Sequence, residues 1–161
     1  AMIVFQYHMI ARMDDVAHVK KSTLKACPNY PGWLIWKISW SKNVHDERDC
    51  PDQMLLGDME PSTCVYLNLA LFLEKWLKFG DGNLSQWLFC EGSTCASLAT
   101  KQDIEANCGK ARHAKALKKI IKNKAFTKAC KGKLDSHSIC KSSATKAREK
   151  GVPKDDLEHC T

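Results

Sequence analysis

The sequence predicts a single α+β domain, mainly helical, in which helices pack around a small antiparallel β-hairpin. Its 161 residues suffice for one domain with a real core but not for two ordinary ones. One tryptophan-rich stretch alternates as a strand does, and the longer apolar segments have helical spacing. Neither an internal repeat nor a low-complexity segment divides the chain, so residues 1–161 are expected to form one domain.

The N-terminal third predicts a helix followed by the hairpin. Apolar residues recur every three or four positions from Met9 to Leu24, and the prolines of "CPNYPG" end that helix because they lack the backbone donor. The stretch "WLIWKISW", residues 33–40, favours a strand. One face would carry Leu34, Trp36, Ile38 and Trp40, and the other would carry Trp33, Ile35, Lys37 and Ser39. After a polar loop, "QMLLG" is expected to be the returning strand. The tryptophans of the first strand are expected to be core residues more than base-stacking ones.

Helices are also predicted for the rest of the chain. An apolar segment opened by Pro61 and Ser62 and running to Phe79 is expected to be the central buried helix. The stretch "LSQWLFCEGSTCASLATKQD" predicts one strand or an irregular loop. A helix with a lysine-rich outer face follows at residues 110–126. The last helix is expected to start at Asp135 or Ser136 and to end at Gly151, with Pro153 after it.

Charge is unevenly distributed along the chain. The net charge is +7, yet residues 1–100 hold 9 basic and 11 acidic side chains, while residues 101–161 hold 16 and 7. The balances are therefore −2 and +9. A basic C-terminal third favours a polyanionic partner, nucleic acid before anionic membrane, although a merely solvated lysine face has the same composition.

The cysteines favour a reducing compartment. The chain has nine, an odd number, and the N-terminus lacks the cationic region of a signal peptide. We therefore expect free thiols in an intracellular protein. The longest apolar run, "CVYLNLALFL", is too short to cross a bilayer, so no membrane segment is expected. Since the chain begins with Ala1, it is expected to be a piece of a longer protein.

The segment "HSICKSSATKAREKG" holds the most specific motif. His137 and Cys140 lie three positions apart in the first turn of the predicted helix, so their side chains are expected to share one face beside backbone N–H groups that favour phosphate. The segment resembles the His-x-x-Arg motif of tyrosine recombinases and phage-type integrases, most closely the recombinase-like proteins of eukaryotic mobile elements. His137, Ala144, Thr145 and Gly151 match that register. The arginine of the motif is replaced by Cys140.

Two upstream pieces fit the same resemblance. "ARMDDV" offers Arg12 with Asp15 for the family's first arginine, and Lys42 follows the tryptophan-rich strand where the family has a lysine. The resemblance implies a tyrosine recombinase-like catalytic domain that breaks and rejoins DNA without a metal or nucleotide cofactor. It implies that Arg12 clamps the phosphate, that Lys42 is the general acid, that His137 binds phosphate or relays a proton, and that Asp15 supports Arg12.

The resemblance also implies a nuclear location and assembly on DNA as a homo-oligomer. The sequence departs from the family pattern at two points, and both weaken catalysis. A cysteine cannot replace a guanidinium that holds phosphate with two hydrogen bonds, so Cys140 removes a clamp. The nucleophilic tyrosine of the family follows the motif, whereas Tyr7, Tyr30 and Tyr66 all precede it. This chain alone is therefore expected to be inactive.

Three other hypotheses stay open. The first is a non-catalytic nucleic-acid-binding module that uses the lysines of the last two helices. The second is a zinc site with soft ligands at a loose spacing. The third is a thiol enzyme with a cysteine paired to His8, His113 or His137. The DNA-binding lysines are Lys115, Lys118, Lys119, Lys122 and Lys141. The zinc ligands are Cys90, Cys95, Cys108 and His113.

Overall fold

The computed structural model describes residues 1–37, 52–79, 87–89, 101–129 and 134–158. Within these ranges the chain is α+β, with helices and one three-stranded antiparallel sheet, as the sequence predicts. The helices are α1 (Met2–His8), α2 (Met13–Ala17), α3 (Val65–Phe79), α4 (Lys101–Ile121), α5 (Lys124–Ala129), α6 (Ser136–Glu149) and α7 (Lys154–Glu158). The strands are β1 (Leu24–Ala26), β2 (Leu34–Lys37) and β3 (Asp52–Leu55).

The predicted hairpin is confirmed by the pairing of β2 with β3. The two strands are antiparallel, with Leu34 opposite Leu55 and Trp36 opposite Gln53. The outer part of the predicted first strand, including Trp40, lies outside the described residues. A third strand, β1, pairs with the other edge of β2 in the order β1-β2-β3. The sheet is therefore one strand larger than predicted.

The single helix predicted from Met9 to Leu24 is wrong. The backbone turns at Ile10, whose φ is +51°, and Arg12 is extended, so the helical segments are α1 before this turn and the short α2 after it. The segment then continues through a 3-10 turn into β1. The apolar spacing does mark buried positions, because Val16 and Val19 are fully buried. The same spacing is compatible with short turns that point their apolar side chains to one core.

The core forms where α1 crosses the sheet. Phe5 of α1 and Trp36 of β2 are both fully buried, and their rings meet edge to face with centroids 5.2 Å apart. Phe89 packs edge to face on Phe5 from the other side at 5.5 Å. Aromatic pairs of this kind add to the free energy gained by burial. The prediction that Trp36 is a core residue is confirmed.

Helix α3 is amphipathic and is not the central buried helix that was predicted. Val65 and Leu69 are buried, whereas Leu67 and Leu71 are 42% and 56% exposed. The central position is taken by α1, whose Phe5 and Gln6 are fully buried. A uniformly apolar helix is usually buried on all sides, but here the core offers α3 only one face.

The basic helix predicted at residues 110–126 is two helices, α4 and α5. They are separated at Asn123, whose side-chain oxygen accepts a hydrogen bond from the Ala125 N–H at 2.9 Å and so caps α5. Helix α6 has the predicted ends. The Asp135 carboxylate accepts from the Ser138 N–H at 2.7 Å, and Gly151 lies just after the last turn with φ +90°. Among the helices described, none combines the length and apolarity needed to cross a bilayer.

Candidate nucleic-acid interface

The turn between α1 and α2 sets the position of Arg12. The Ala11 N–H donates to the Gln6 carbonyl at 3.3 Å and the Ile10 N–H to the Tyr7 carbonyl at 3.4 Å. This is the Schellman arrangement, which normally has a glycine where Ile10 stands. A β-branched residue at positive φ is uncommon and strained. The turn reverses the chain and brings Arg12 to the first position before α2.

Arg12 and Asp15 are joined through the start of α2. The Arg12 backbone N–H donates to Asp15 Oδ2 at 3.0 Å, while the other carboxylate oxygen has no hydrogen-bond partner within the described part of the chain. Asp15 is only 4% exposed. Burial raises the pKa of Asp15, and the hydrogen bond and charge of Arg12 oppose that rise. Asp15 therefore fixes the backbone at Arg12.

The start of α6 packs against α1. The Gln6 side-chain amide donates to the Ser136 carbonyl at 2.9 Å, across 130 positions of sequence. Gln6 is fully buried, and no sequence motif indicated its role. This bond, together with the Asp135 cap, fixes where the first turn of α6 lies relative to the turn at Ile10.

Cys140 lies against the same turn. It is 4% exposed, and its thiol donates to the Ile10 carbonyl at 3.0 Å. Burial raises the pKa of Cys140, the charge of Arg12 lowers it and that of Asp15 raises it again. Three of the residues singled out in the sequence, Arg12, Asp15 and Cys140, are thus brought together from two distant segments. The thiol is uncharged there and is hydrogen-bonded to the backbone carbonyl of Ile10.

His137 is in the first turn of α6 but does not share the environment of Cys140. Its side chain is exposed, whereas Cys140 is buried. The expectation that the two side chains present one common surface is therefore wrong, because the helix turns Cys140 toward the core and His137 toward solvent. Lys42, the predicted general acid, lies outside the described residues.

The three tyrosines occupy different parts of the fold. The Tyr66 hydroxyl donates to the Leu55 carbonyl and accepts from the Leu34 N–H at 3.0 Å, so it links α3 to the sheet. Tyr30 stacks on Trp33 with ring centroids 4.6 Å apart. Tyr7 lies in α1 with the Lys146 ammonium 5.9 Å from its ring centroid.

We call the five exposed lysines that the sequence singled out on α4, directly after it and on α6 the basic surface. All five side chains are exposed, and within the described residues none of them forms an ion pair. Helix α4 packs on α2 and α6 packs on α1. Residues 9–12, which we call the Arg12 turn, join α1 to α2. These are the two helices on which α6 and α4 pack. The five lysines are Lys115, Lys118, Lys119, Lys122 and Lys141.

The zinc hypothesis depends largely on residues outside the described part of the chain. Cys90 and Cys95 lie outside it, as does the side chain of Cys108. Positions 108 and 113 belong to one continuous helix, α4, and are five residues apart, which separates them by about 140° around its axis. That separation does not favour a shared ion. No cluster of three metal-binding side chains occurs among the described residues.

His113 has an environment that the sequence did not reveal. It is 3% exposed, and neither ring nitrogen has a hydrogen-bond partner among the described residues. Burial lowers the pKa of His113. The spacing of His113 and Leu117, both buried on one face of α4, is the signal that could have placed it inside.

The chain was compared with protein families and with curated proteins. No family model matches it, and no curated protein sequence is significantly similar to it.

Proposed function

We propose that this chain binds DNA through its backbone phosphates, with the basic surface of α4 and α6 as the contact. The observation that supports this most is the exposure of all five lysines without an ion pair to any described residue. Lysines that are not neutralised within the protein attract a polyanion and release its counterions on binding. The excess of nine positive charges in residues 101–161 acts in the same direction.

Arg12 and His137 are two further groups suited to binding phosphate. Arg12 is half-buried at the start of α2, and its backbone is fixed by Asp15. A guanidinium whose backbone is fixed loses less freedom when it binds a phosphate oxygen in a forked geometry. His137 is exposed in the first turn of α6, and its imidazole can donate a hydrogen bond to a phosphate oxygen.

We further propose that the chain is related to tyrosine recombinases but does not cleave DNA by itself. The support is the proximity of Arg12 and Asp15 to Cys140, because the resemblance assigns all three positions to one site. Cys140 speaks against activity, because its thiol is buried and donates to the Ile10 carbonyl. Such a group cannot stabilise the charge that develops on a phosphate in the transition state. The family's nucleophile has no counterpart after His137 in this sequence.

The binding proposal is tested by the salt dependence of affinity for a short DNA duplex. A variant with Lys115, Lys118, Lys119 and Lys122 all changed to Gln is expected to bind more weakly. The slope of log K against log salt should become shallower by roughly 3.6 if all four lysines contact phosphates. Fluorescence anisotropy at several salt concentrations measures both quantities.

The matched control removes the same number of charges elsewhere. Lys21, Lys25, Lys37 and Lys75 belong to the 3-10 turn, β1, β2 and α3, outside the helices that carry the basic surface. Changing these four to Gln alters the net charge equally but should leave the slope nearly unchanged. If both variants lost the same affinity and the same salt dependence, net charge alone would account for binding. The basic surface would then not be the contact.

The proposal on cleavage is tested with a nicked suicide duplex. We expect no covalent protein–DNA adduct with this chain on denaturing gels, because the nucleophile and one clamp are missing. An adduct that disappears in one of the variants Tyr7→Phe, Tyr30→Phe or Tyr66→Phe would overturn it and identify the nucleophile.

A further inference from the structure

The two edges of the sheet differ in how they are protected against pairing with another chain. Strand β1 forms one edge and β3 the other, because β2 lies between them. The middle residue of β1 is Lys25, which is exposed, and Pro28 follows this strand closely. Lysine and proline on an edge strand are common means of preventing such pairing. Strand β3, with the sequence DQML, contains neither a lysine nor a proline.

The hydrogen-bond pattern of the sheet shows which backbone groups of β3 point outward. The Cys27 N–H donates to the Trp33 carbonyl at 2.8 Å. Because antiparallel bonding alternates along a strand, the odd-numbered residues of β2 bond to β1 and the even-numbered ones to β3. The even-numbered residues lie opposite Leu55 and Gln53, so these two bond inward. The backbone N–H and C=O of Met54, which lies between them, therefore point away from β2.

Met54 has the properties of an open pairing position. No described residue forms a hydrogen bond with its backbone N–H or C=O. Its side chain is 55% exposed and lies on the outer face of the sheet, across from Ile35. Leu56 follows two positions later on the same face and is 45% exposed. A strand added at this edge could pair with the Met54 backbone and cover both apolar side chains.

The charge around β3 indicates what kind of strand fits there. Residues 52–64, which comprise β3 and the turn before α3, hold three acidic side chains and no basic one. The three, Asp52, Asp58 and Glu60, are all exposed. Lys37 lies opposite Asp52 on β2 and offsets one of these charges, so the edge and the turn together stay acidic. A basic segment is attracted to this edge, whereas an acidic segment or a nucleic acid is repelled.

We infer that the β3 edge binds an extended basic segment of another protein, which becomes a fourth strand of the sheet. The backbone of Met54 hydrogen-bonds to that strand, and apolar side chains at alternate positions lie against Met54 and Leu56. In strand addition of this kind, main-chain hydrogen bonds provide affinity and alternate side chains provide specificity. The inference does not depend on the proposed DNA contact, which uses lysines of other elements.

The experiment measures amide hydrogen exchange of the whole chain by NMR, with and without the synthetic peptide acetyl-KVKVKVK-amide. The Met54 amide should exchange rapidly in the free chain and become protected in a saturable way as this peptide is added. The acidic peptide acetyl-EVEVEVE-amide should bind about tenfold more weakly or less, because the edge repels it. The peptide acetyl-KPKPKPK-amide keeps the basic charge but cannot pair as a strand, so it should also bind about tenfold more weakly or less.

Two pairs of variants locate the contact. Met54→Pro removes the outward N–H of β3, and Ala26→Pro is the matched change at the β1 edge, where the backbone of Ala26 points outward by the same alternation. Met54→Lys and Ala26→Lys add one charge at either edge and keep the test decisive if the proline variants do not fold. Both Met54 variants should bind the basic peptide about tenfold more weakly or less, because backbone pairing is lost or a like charge is added. Both Ala26 variants should stay within a few fold of the original affinity.

The outcomes that overturn the inference are specific to its parts. Unchanged exchange at Met54 with the basic peptide would show that this edge does not bind it, and equal binding of the proline-containing peptide would show that no strand forms. Equal losses in the Met54 and Ala26 variants would mean that the peptide does not select the β3 edge. Slow exchange of the Met54 amide in the free chain would show that the edge is already covered. If that protection increased with protein concentration, the occupant would be a second copy of this chain and not a basic segment.

Discussion

Ile10 is the residue at which backbone strain and the candidate interface coincide. Its φ of +51° places a β-branched side chain in a conformation that favours glycine, and its carbonyl accepts the Cys140 thiol. Left-handed backbone costs about 1–2 kcal/mol for such a residue. The hydrogen bonds of the turn and the packing of α6 hold it there.

Ile10→Gly is expected to change the free energy of unfolding by less than about 1 kcal/mol. Relief of strain offsets the loss of a half-buried side chain, which costs about the same amount. Ile3→Gly removes a half-buried isoleucine from α1 at an ordinary helical φ, so it should cost about 2 kcal/mol. Urea unfolding compares the two, and equal losses would contradict strain at Ile10.

The described cysteines should differ in reactivity. Cys64 immediately precedes α3, where backbone N–H groups, that of Leu67 first, lower the pKa of its thiol. Burial raises the pKa of the Cys140 thiol, which is also hydrogen-bonded. Iodoacetamide at neutral pH should therefore modify Cys64 well before Cys140, as measured by peptide mass spectrometry. The difference should vanish in denaturant, and faster reaction of Cys140 in the folded chain would refute this environment.

At the scale of the element, α6 is the helix with the most complete end structures. Asp135 caps its start, and at its end the Val152 N–H donates to the Ala147 carbonyl at 3.1 Å across the turn at Gly151. The Ser138 hydrogen bonds lower the pKa of Asp135. This pKa is lower in the folded than in the unfolded chain. The cap therefore stabilises the folded chain fully above the ordinary carboxyl pKa. That stabilisation is lost as the pH falls through the lowered pKa of Asp135 in the folded chain.

Gly151→Ala should destabilise the protein by about 1 kcal/mol, the cost of a side chain at positive φ. No atom lies within 4 Å of the added methyl group, so the loss would come from the backbone alone. Gly57 has no positive φ, and its added methyl group would press on the Tyr66 ring at 3.2 Å, so Gly57→Ala tests crowding instead. Thermal unfolding measures both, and an unchanged melting temperature for Gly151→Ala would contradict the C-terminal arrangement.

At the scale of the whole molecule, His113 connects stability to pH. It lies in α4 where that helix meets the start of α1 and α3. The unfolded chain takes up a proton at an ordinary histidine pKa of about 6.5. Burial lowers the pKa of His113 in the folded chain, so the folded state takes it up only at lower pH. Above about pH 6.5, His113 is neutral in both states and does not change the free energy of unfolding. As the pH falls below that value, the unfolded chain takes up the proton first, and the folded state loses stability.

We expect the melting temperature to fall between pH 7.5 and pH 5.5, and to fall less in His113→Leu. The difference between the two chains isolates the contribution of His113, because both chains contain the other five histidines. His137→Leu, at an exposed position, is the matched control and should keep the full pH dependence. An identical pH dependence in His113→Leu and the original chain would show that His113 is not buried as a neutral ring.

The sequence by itself determined the features that depend on neighbouring residues. The α+β class, the β2–β3 hairpin, the cap at Asp135 and the stop at Gly151 all follow from local spacing and backbone preference, and the structure contains them. The exposure of the lysines was also predictable, because a charged side chain without a partner is rarely buried.

Only the tertiary structure decided the rest. The expected helix from Met9 to Leu24 is interrupted at Ile10, because contacts with α6 from 130 positions away stabilise a strained turn that local preference opposes. The same packing buries Cys140 while leaving His137 in solvent. Where α4 meets the first residues of the chain and α3, it buries His113, whose ring nitrogens have no hydrogen-bond partner among the described residues. Burial depends on which distant segments meet, so spacing along the chain could suggest these residues but could not determine their environments.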